Sequence, residues 1–257
     1  MKLLKELQIL LFNQPIWSDD ERIEDSRFIS TGFPELDDAL PRGGWSRSGL
    51  VGIHVPREGA GELSVLLPAL AQVSNEERKI VFVAPPYLPY APSLAQAGVA
   101  LSRYMLVKVQ SLECRLWAVE QALRSGDCGA VVFWTQGMEK HHLQRLHLAA
   151  LEGGAIGFAF DHHDFDAAKT GSIPLCLAMR PCQGAKVQVE ILNQKDASPS
   201  VSLSLSIPSD NPVLSTPLPP TRGRVAHIPA WRNVQAKKKT FRSALADQDW
   251  LLQGIVA

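Results

Sequence analysis

No stretch of this chain approaches the roughly 20 consecutive apolar residues that a membrane-spanning helix requires, so a helical membrane protein is not expected. Cysteine is scarce. Cys114, Cys128, Cys176 and Cys182 are the full complement and none stands in C-x-x-C spacing, which argues against a secreted disulfide framework and leaves reduced, mostly buried thiols in a cytoplasmic protein. An excess of one charge is also missing: Lys+Arg and Asp+Glu each total 26, so any attraction to nucleic acid has to be local. The opening "MKLLKELQILLFNQPIW" lacks a small-residue cleavage site and is interrupted by Glu6 and Gln8. Its Leu3, Leu4, Leu7, Leu10 and Leu11 follow helical spacing, which predicts an amphipathic helix in place of a signal sequence.

What is present is ample apolar material, 46% of 257 residues, enough for one large α/β domain with tails or for two small ones. Strand and helix patterns alternate: "LVGIHV", "GELSVLLPALAQVS", "KIVFVAP", "APSLAQAG", "YMLVKV", "LWAVEQALRSG", "CGAVVFW", "KHHLQRLHLAALEGG" and "AIGFAF". Continuous apolar strands separated by amphipathic helices predict a mostly parallel sheet covered on both faces. Gly98, Gly126 and Gly153 stand where helices should stop. After residue 170 come "IPLCLAMRP", "KVQVEILNQ" and "VSLSLSI", three strands without helices, expected as an antiparallel extension. The expected organisation is an N-terminal helical arm and lead-in (1–45), an α/β core (46–207) and a Pro-rich linker with a flexible basic tail (208–257).

"VPREGAGELSVLLPAL" (55–70) has the strand, loop, helix order of a phosphate-binding loop, and its lysine is absent. Pro56 occupies the first glycine position, Gly59 lies within the loop, and Gly61 fits the second glycine. Glu62 and Leu63 stand where Lys and Ser/Thr should hold phosphate and magnesium. Two unit charges about 4 Å apart interact by roughly 4 kcal/mol at an effective dielectric near 20, so a Lys-to-Glu exchange reverses a large interaction. "GAVVFWTQGM" offers Trp134 and no Asp for a metal, and "KIVFVAPPYLPY" offers Pro85 and Pro86 in place of a water-activating carboxylate. Three lost stations predict a non-enzyme with no cofactor.

The lead-in "FISTGFPELDDALPRGGWSRSGLVGI" resembles the segment before the ATP-binding core of RecA recombinases. The blocks "VAPPYLPYAPSLAQAGVALSRYMLV", "LWAVEQALRSGDCGAVVFW" and "LHLAALEGGAIGFAF" are more similar to the ImuA family, over residues 28–195. That resemblance implies a RecA-like core and a non-catalytic adaptor in SOS-induced, error-prone translesion DNA synthesis. It implies an ImuB-like Y-family polymerase homologue as partner, and an error-prone replicative-type polymerase in the same complex. RecA, single-stranded DNA and self-association through the N-terminal arm are further expectations of it, and no membrane is implied. The alternative is the SulA family, SOS-induced division inhibitors that block FtsZ assembly. It is similar through "LLPAL", "ALRSG" and "EGGAIGF", but about 90 residues here continue beyond Phe160. A RecA-like, DNA-dependent ATPase is the third reading.

Residues 217–257 hold seven Lys/Arg against two Asp. Arg232, Lys237, Lys238, Lys239 and Arg242 could track phosphates while Trp231 or Phe241 stacks on bases, or they could simply solubilise a spacer. Trp250, Leu251, Leu252 and Ile255 cluster near the end of the chain, suited to a partner groove or to folding back on the core. His141, His142 and His147, and the "DHHD" at 161–164, invite a metal reading, but adjacent His162 and His163 diverge on a strand, and a solvated strand end is the plainer expectation. "YLPYAP" (87–92) reads as a rigid aromatic loop at a strand's carboxyl end, closing a crevice or meeting a protein.

Overall fold

The computed structural model describes residues 27–40, 43–56, 62–162, 171, 173–182, 186–194 and 202–206, with the backbone of 224–227. The elements run β1 (Phe28–Ile29), α1 (Pro34–Ala39), β2 (Trp45–Ser46), β3 (Gly49–His54), α2 (Leu67–Asn75), β4 (Lys79–Val83), α3 (Ala91–Gln96) and β5 (Tyr104–Lys108). They continue with α4 (Leu112–Arg124), β6 (Cys128–Trp134), α5 (Lys140–Gly153), β7 (Ile156–Asp161), β8 (Leu175–Cys182), β9 (Lys186–Gln194), β10 (Ser202–Ser206) and β11 (Arg224–His227).

Among the described residues the main sheet has nine strands in the order β10-β9-β8-β3-β7-β6-β4-β5-β11. From β8 across to β11 every pairing is parallel, and β9 and β10 add an antiparallel extension. β3, β6 and β7 are buried along their whole length, as strands covered on both faces must be. Alternate residues divide between two cores. Ile80, Phe82, Val132, Trp134, Phe158 and Phe160 face α1, α2, α3 and the lead-in. Val81, Val83, Val131, Phe133 and Ala159 face α4 and α5. The connections that advance from β3 to β4 and β5 thus cross one face, and those that return through β6 to β7 cross the other, as a uniform crossover hand demands.

The antiparallel expectation for the last three strands needs one correction. β8 lies parallel to β3, with His54 opposite Ala178, and only β9 and β10 run antiparallel. Further on, Arg224–His227, within the stretch read as linker, forms β11 beside β5.

Helix α2 also departs from expectation. A 3-10 turn, Glu62–Val65, precedes it, and the α-helix itself begins only at Leu67. Pro68 explains the delay: proline fits the first turn of an α-helix but its ring clashes with the carbonyl four residues back. At the end of α5 the expected stop moves by one residue. Gly153 is still helical, and Gly154 takes the left-handed cap at φ 60°. Gly153 is small for a packing reason, because a Cβ there would sit 1.8 Å from the Leu123 carbonyl oxygen of α4.

The lead-in is tied down locally. Asp37 of α1 accepts from Thr31 N at 2.8 Å and Ser30 Oγ at 2.6 Å, closing the turn that Ser30 and Thr31 signal. Trp45 is fully buried edge-on against Phe158, ring centroids 5.7 Å apart. Arg47 forms a bidentate pair with Glu76 at the end of α2, at 2.5 and 2.7 Å.

Candidate functional site at the carboxyl edge of the sheet

Open parallel sheets place their working loops beyond the carboxyl ends of the strands. Here those are the segments after β3, β4, β5 and β6. Of the degenerate loop, Pro56, Glu62 and Leu63 are described, while Gly59 and Gly61 lie outside the described residues. Pro56 is exposed, Glu62 is buried at the head of the 3-10 turn, and Leu63 packs against the core. The first α-helical N–H groups after β3 therefore begin at Leu67, five residues beyond the position where a phosphate-binding lysine would stand, and no side chain caps them.

After β6, Trp134 lies flat against Phe160, centroids 5.4 Å apart and planes 19° from parallel. Thr135 N donates to the Phe160 carbonyl at 2.9 Å, and Met138 N donates to the Thr135 carbonyl at 2.8 Å, folding the chain over the strand end. Arg115, in the first turn of α4, donates from Nη1 to the Gln136 carbonyl at 3.0 Å. Burial lowers its pKa. Trp134, Thr135 and Met138 are all buried, so this strand end is closed over by its own chain and presents none of them to solvent.

The segment after β4 differs in character. Ala84 N donates to the Val107 carbonyl at 2.8 Å, extending the β4–β5 pairing by one bond, and then Ala84 adopts φ 48°. Left-handed backbone is costly for a residue with a Cβ, and a following proline restricts it further. Beyond it, Pro85, Pro86, Pro89 and Pro92 hold Tyr87, Leu88 and Tyr90 outward at 66%, 62% and 61% exposure. Among the described residues these are the large hydrophobic side chains left in solvent.

The histidines take separate structural roles. His142 Nδ1 accepts from Glu139 N at 3.0 Å in a reciprocal cap at the start of α5. Burial, then its neighbour His141, lowers the pKa of His142. Buried His147 uses Nδ1 to accept from Leu50 N at 3.1 Å, bracing the beginning of β3. Asp161 is buried and opposite His54 in the β3–β7 register, which corrects the expected solvated strand end; His163 and Asp164 lie outside the described residues. Among the described residues no group of three or more His, Cys, Asp or Glu is placed to hold a metal. Cys128 is enclosed by the core, and burial pushes its thiol up to about 11, so it carries little thiolate at neutral pH.

Two arrangements lack an obvious sequence signal. Arg78, before β4, donates to the carbonyls of Gly154 at 2.8 Å, Cys128 at 2.6 Å and Gly126 at 3.2 Å. Buried Glu120 of α4 is held between Arg124 and Arg145, joining α4 to α5. The proposed tail residues, Arg232, Lys237, Lys238, Lys239, Arg242, Trp250, Leu251, Leu252 and Ile255, lie outside the described residues, as does the N-terminal arm. Among the described residues no helix is long and apolar enough to cross a membrane.

Residues 49–157 match the family model described as cell division inhibitor SulA. That span begins with β3 and reaches into β7, so it includes the whole edge just described except the end of β7. Among curated proteins, cell division inhibitor SulA of Photorhabdus laumondii is 31% identical over 100 residues, covering 39% of this chain and 56% of the relative. The protein of that name from Edwardsiella piscicida is 31% identical over 96 residues, 37% of this chain and 57% of the relative. That of Yersinia pestis (strain Pestoides F) is 29% identical over 112 residues, 43% of this chain and 67% of the relative. The chain thus spans little more than half the length of the first two relatives.

These similarities support a SulA-related family and overturn the adaptor expectation. The ImuA-type assignment, with its ImuB-like polymerase homologue, error-prone polymerase, RecA and single-stranded DNA as partners, is overturned, and the similarities favour the division-inhibitor alternative over it. The reason is physical. The blocks "ALRSG" and "EGGAIGF" lie in the helix end and turn that seat α4 and α5 against the sheet, so they report a shared core and cannot separate functions built on it. The extra residues beyond Phe160 tipped the sequence reading toward an adaptor. Part of that length is β8, β9 and β10, structure that extends the sheet.

Proposed function

We propose that this chain is a non-catalytic inhibitor of cell division that acts within the SOS response by binding FtsZ and blocking its assembly. The single observation that carries the reading is the match of residues 49–157 to the SulA family model. The relatives are named for inhibition rather than for a reaction. The geometry is consistent with this. Glu62 replaces the phosphate-binding lysine, the helix dipole of α2 begins five residues late, and Trp134 and Pro85 stand where carboxylates would serve a hydrolase.

The finer description of the core as RecA-like, extending over residues 46–207, belongs to the same proposal. It is supported by the lead-in ribbon, by the loop after β3 that keeps strand, turn and helix order, and by the parallel sheet covered on both faces. An ancestral nucleotide-binding scaffold that has lost its phosphate chemistry leaves an edge of loops free for protein contact.

The test is direct. Expression of the chain in a rod-shaped bacterium should produce filamentous cells, and the purified protein should reduce both the pelleting of FtsZ and its GTPase activity in proportion to its concentration. Cells of normal length together with unchanged FtsZ pelleting would sink the reading.

A further inference from the structure

The segment after β4 is built to display rather than to cover. A side chain such as Leu88 exposed at 62% forgoes burial worth about 25 cal/mol for every Å² of apolar surface left wet. Scattered exposure of that kind is unremarkable on its own. Here three large side chains are exposed within four residues, and the backbone that carries them is fixed at both ends, at the far one by the Tyr90 carbonyl accepting from Leu94 N at 3.2 Å as α3 begins. Ala84 holds a left-handed conformation before a proline while its N–H remains in the sheet. Such outliers persist only where surrounding structure imposes them, and they gather at binding sites. Four prolines then restrict φ across residues 84–92, so little conformational freedom remains to be lost on binding.

Charge adds a second constraint. Between Lys79 and Glu113 the sequence contains no Asp or Glu, and its charged residues are Arg103 and Lys108. Exposed Lys108 follows Val107, whose carbonyl receives the Ala84 N–H, so the cation stands at the base of the aromatic loop. Tyrosine supplies a large, stiff contact surface with a polar tip and is enriched where interface energy concentrates. The loop also lies inside the region shared with the division inhibitors, residues 49–157, so a surface used for that common task can reside in it.

We infer that Tyr87, Leu88 and Tyr90, with Lys108 beside them, form the docking surface for FtsZ, inserting into an apolar depression rimmed by carboxylates. The assignment rests on the division-inhibitor reading and adds to it the place of contact and the chemistry of the facing surface. The tyrosine rings and Leu88 contribute desolvation, and Lys108 contributes a salt-sensitive attraction at the rim.

Two variants of the full chain test it, Tyr87→Ser/Leu88→Ser/Tyr90→Ser and Lys108→Glu, with FtsZ as the probe in a binding titration at two salt concentrations. All four side chains are exposed, so melting temperatures should stay at the wild-type value, which is measured in parallel. The triple variant should bind FtsZ at least about tenfold more weakly. Lys108→Glu should weaken binding less, and wild-type affinity should fall as salt rises while that of Lys108→Glu changes less. Wild-type protein that fails to bind FtsZ at all defeats the division-inhibitor reading and this surface together. Wild-type binding with a triple variant within about twofold of it defeats the surface alone. A triple variant that loses self-association while keeping FtsZ affinity likewise defeats it and assigns the loop to a contact between copies.

Discussion

At the scale of single residues, Arg78 shows how one side chain can join parts of the chain that are far apart in sequence. Its guanidinium donates to three carbonyls, those of Gly126 and Cys128 after α4 and that of Gly154, the cap of α5. Helix carboxyl ends carry partial negative charge and unsatisfied carbonyls, so a cation there satisfies both. Lysine could neutralise the charge but could not reach three acceptors in the fixed geometry of a guanidinium. Substitution Arg78→Met keeps much of the apolar stem and removes the donors, leaving part-buried carbonyls short of a partner. A loss of about 2 kcal/mol is expected, within the range for hydrogen bonds to charged groups, read as a lower midpoint in urea with an unchanged slope. Arg78 was invisible as a functional position in the sequence because its partners lie 48, 50 and 76 residues away. His147 was equally hidden: its bond to Leu50 N spans 97 residues.

At the scale of elements, what was local was legible. β6 and β9 occupy the runs "CGAVVFW" and "KVQVEILNQ" to the residue, because continuous or alternating apolar patterns mark strands directly. Helix α4 begins at Leu112 instead of the expected Leu116, and Ser111 is its cap, accepting from Cys114 N at 3.2 Å. That serine was available as a start signal and the apolar pattern overshadowed it. The delayed start of α2 was also readable from Pro68. The pairing of the lead-in with α2 was not, since Arg47 and Glu76 lie 29 residues apart. The Arg47 hydrogen bond, opposed by some burial and aided by attraction, holds the Glu76 carboxyl below its ordinary value of 4.5. A carboxylate with a depressed folded pKa contributes stability that is complete above the unfolded value and lost as pH falls through the folded one. The pair is partly exposed, so solvent screening limits its worth to under about 1 kcal/mol. Glu76→Gln should therefore be slightly less stable than wild type at pH 7, with the two curves converging as pH falls below the ordinary value of 4.5 and through the depressed folded one. Thermal melts of both proteins from pH 7 to pH 3 measure this.

At the scale of the whole molecule, the layered α/β architecture followed from alternating strands and helices, whereas the function did not follow from the shared core. One scaffold can carry different tasks by changing its loops, so "EGGAIGF" could identify a core but not a task. Within the candidate edge, "YLPYAP" was legible as a rigid aromatic loop; its exposure and the strained Ala84 required the structure. Chain length misled for a related reason. The family match ends at residue 157, yet β8 pairs with β3 and carries β9 and β10, whose Val187, Val189, Ile191 and Leu205 are buried in the core beneath α1. Ending the chain after Asp161 would turn fully buried β3 into an open edge and remove the wall of that core, a recipe for aggregation. Ending it after Ser206 keeps β8, β9 and β10 and removes the tail together with the four-residue β11, which pairs His227 with Lys108, so that the shorter and only partly buried β5 becomes the edge. The shorter chain is expected to pellet on ultracentrifugation. The chain ending at Ser206 is expected to stay in solution, keep its α/β circular dichroism, and inhibit FtsZ pelleting within about threefold of the full chain, since a threefold change corresponds to less than about 0.7 kcal/mol of binding. If that chain is folded but inhibits more than tenfold less, the binding energy lies in residues 207–257, and the apolar cluster of Trp250, Leu251, Leu252 and Ile255 becomes the part of the tail to substitute first.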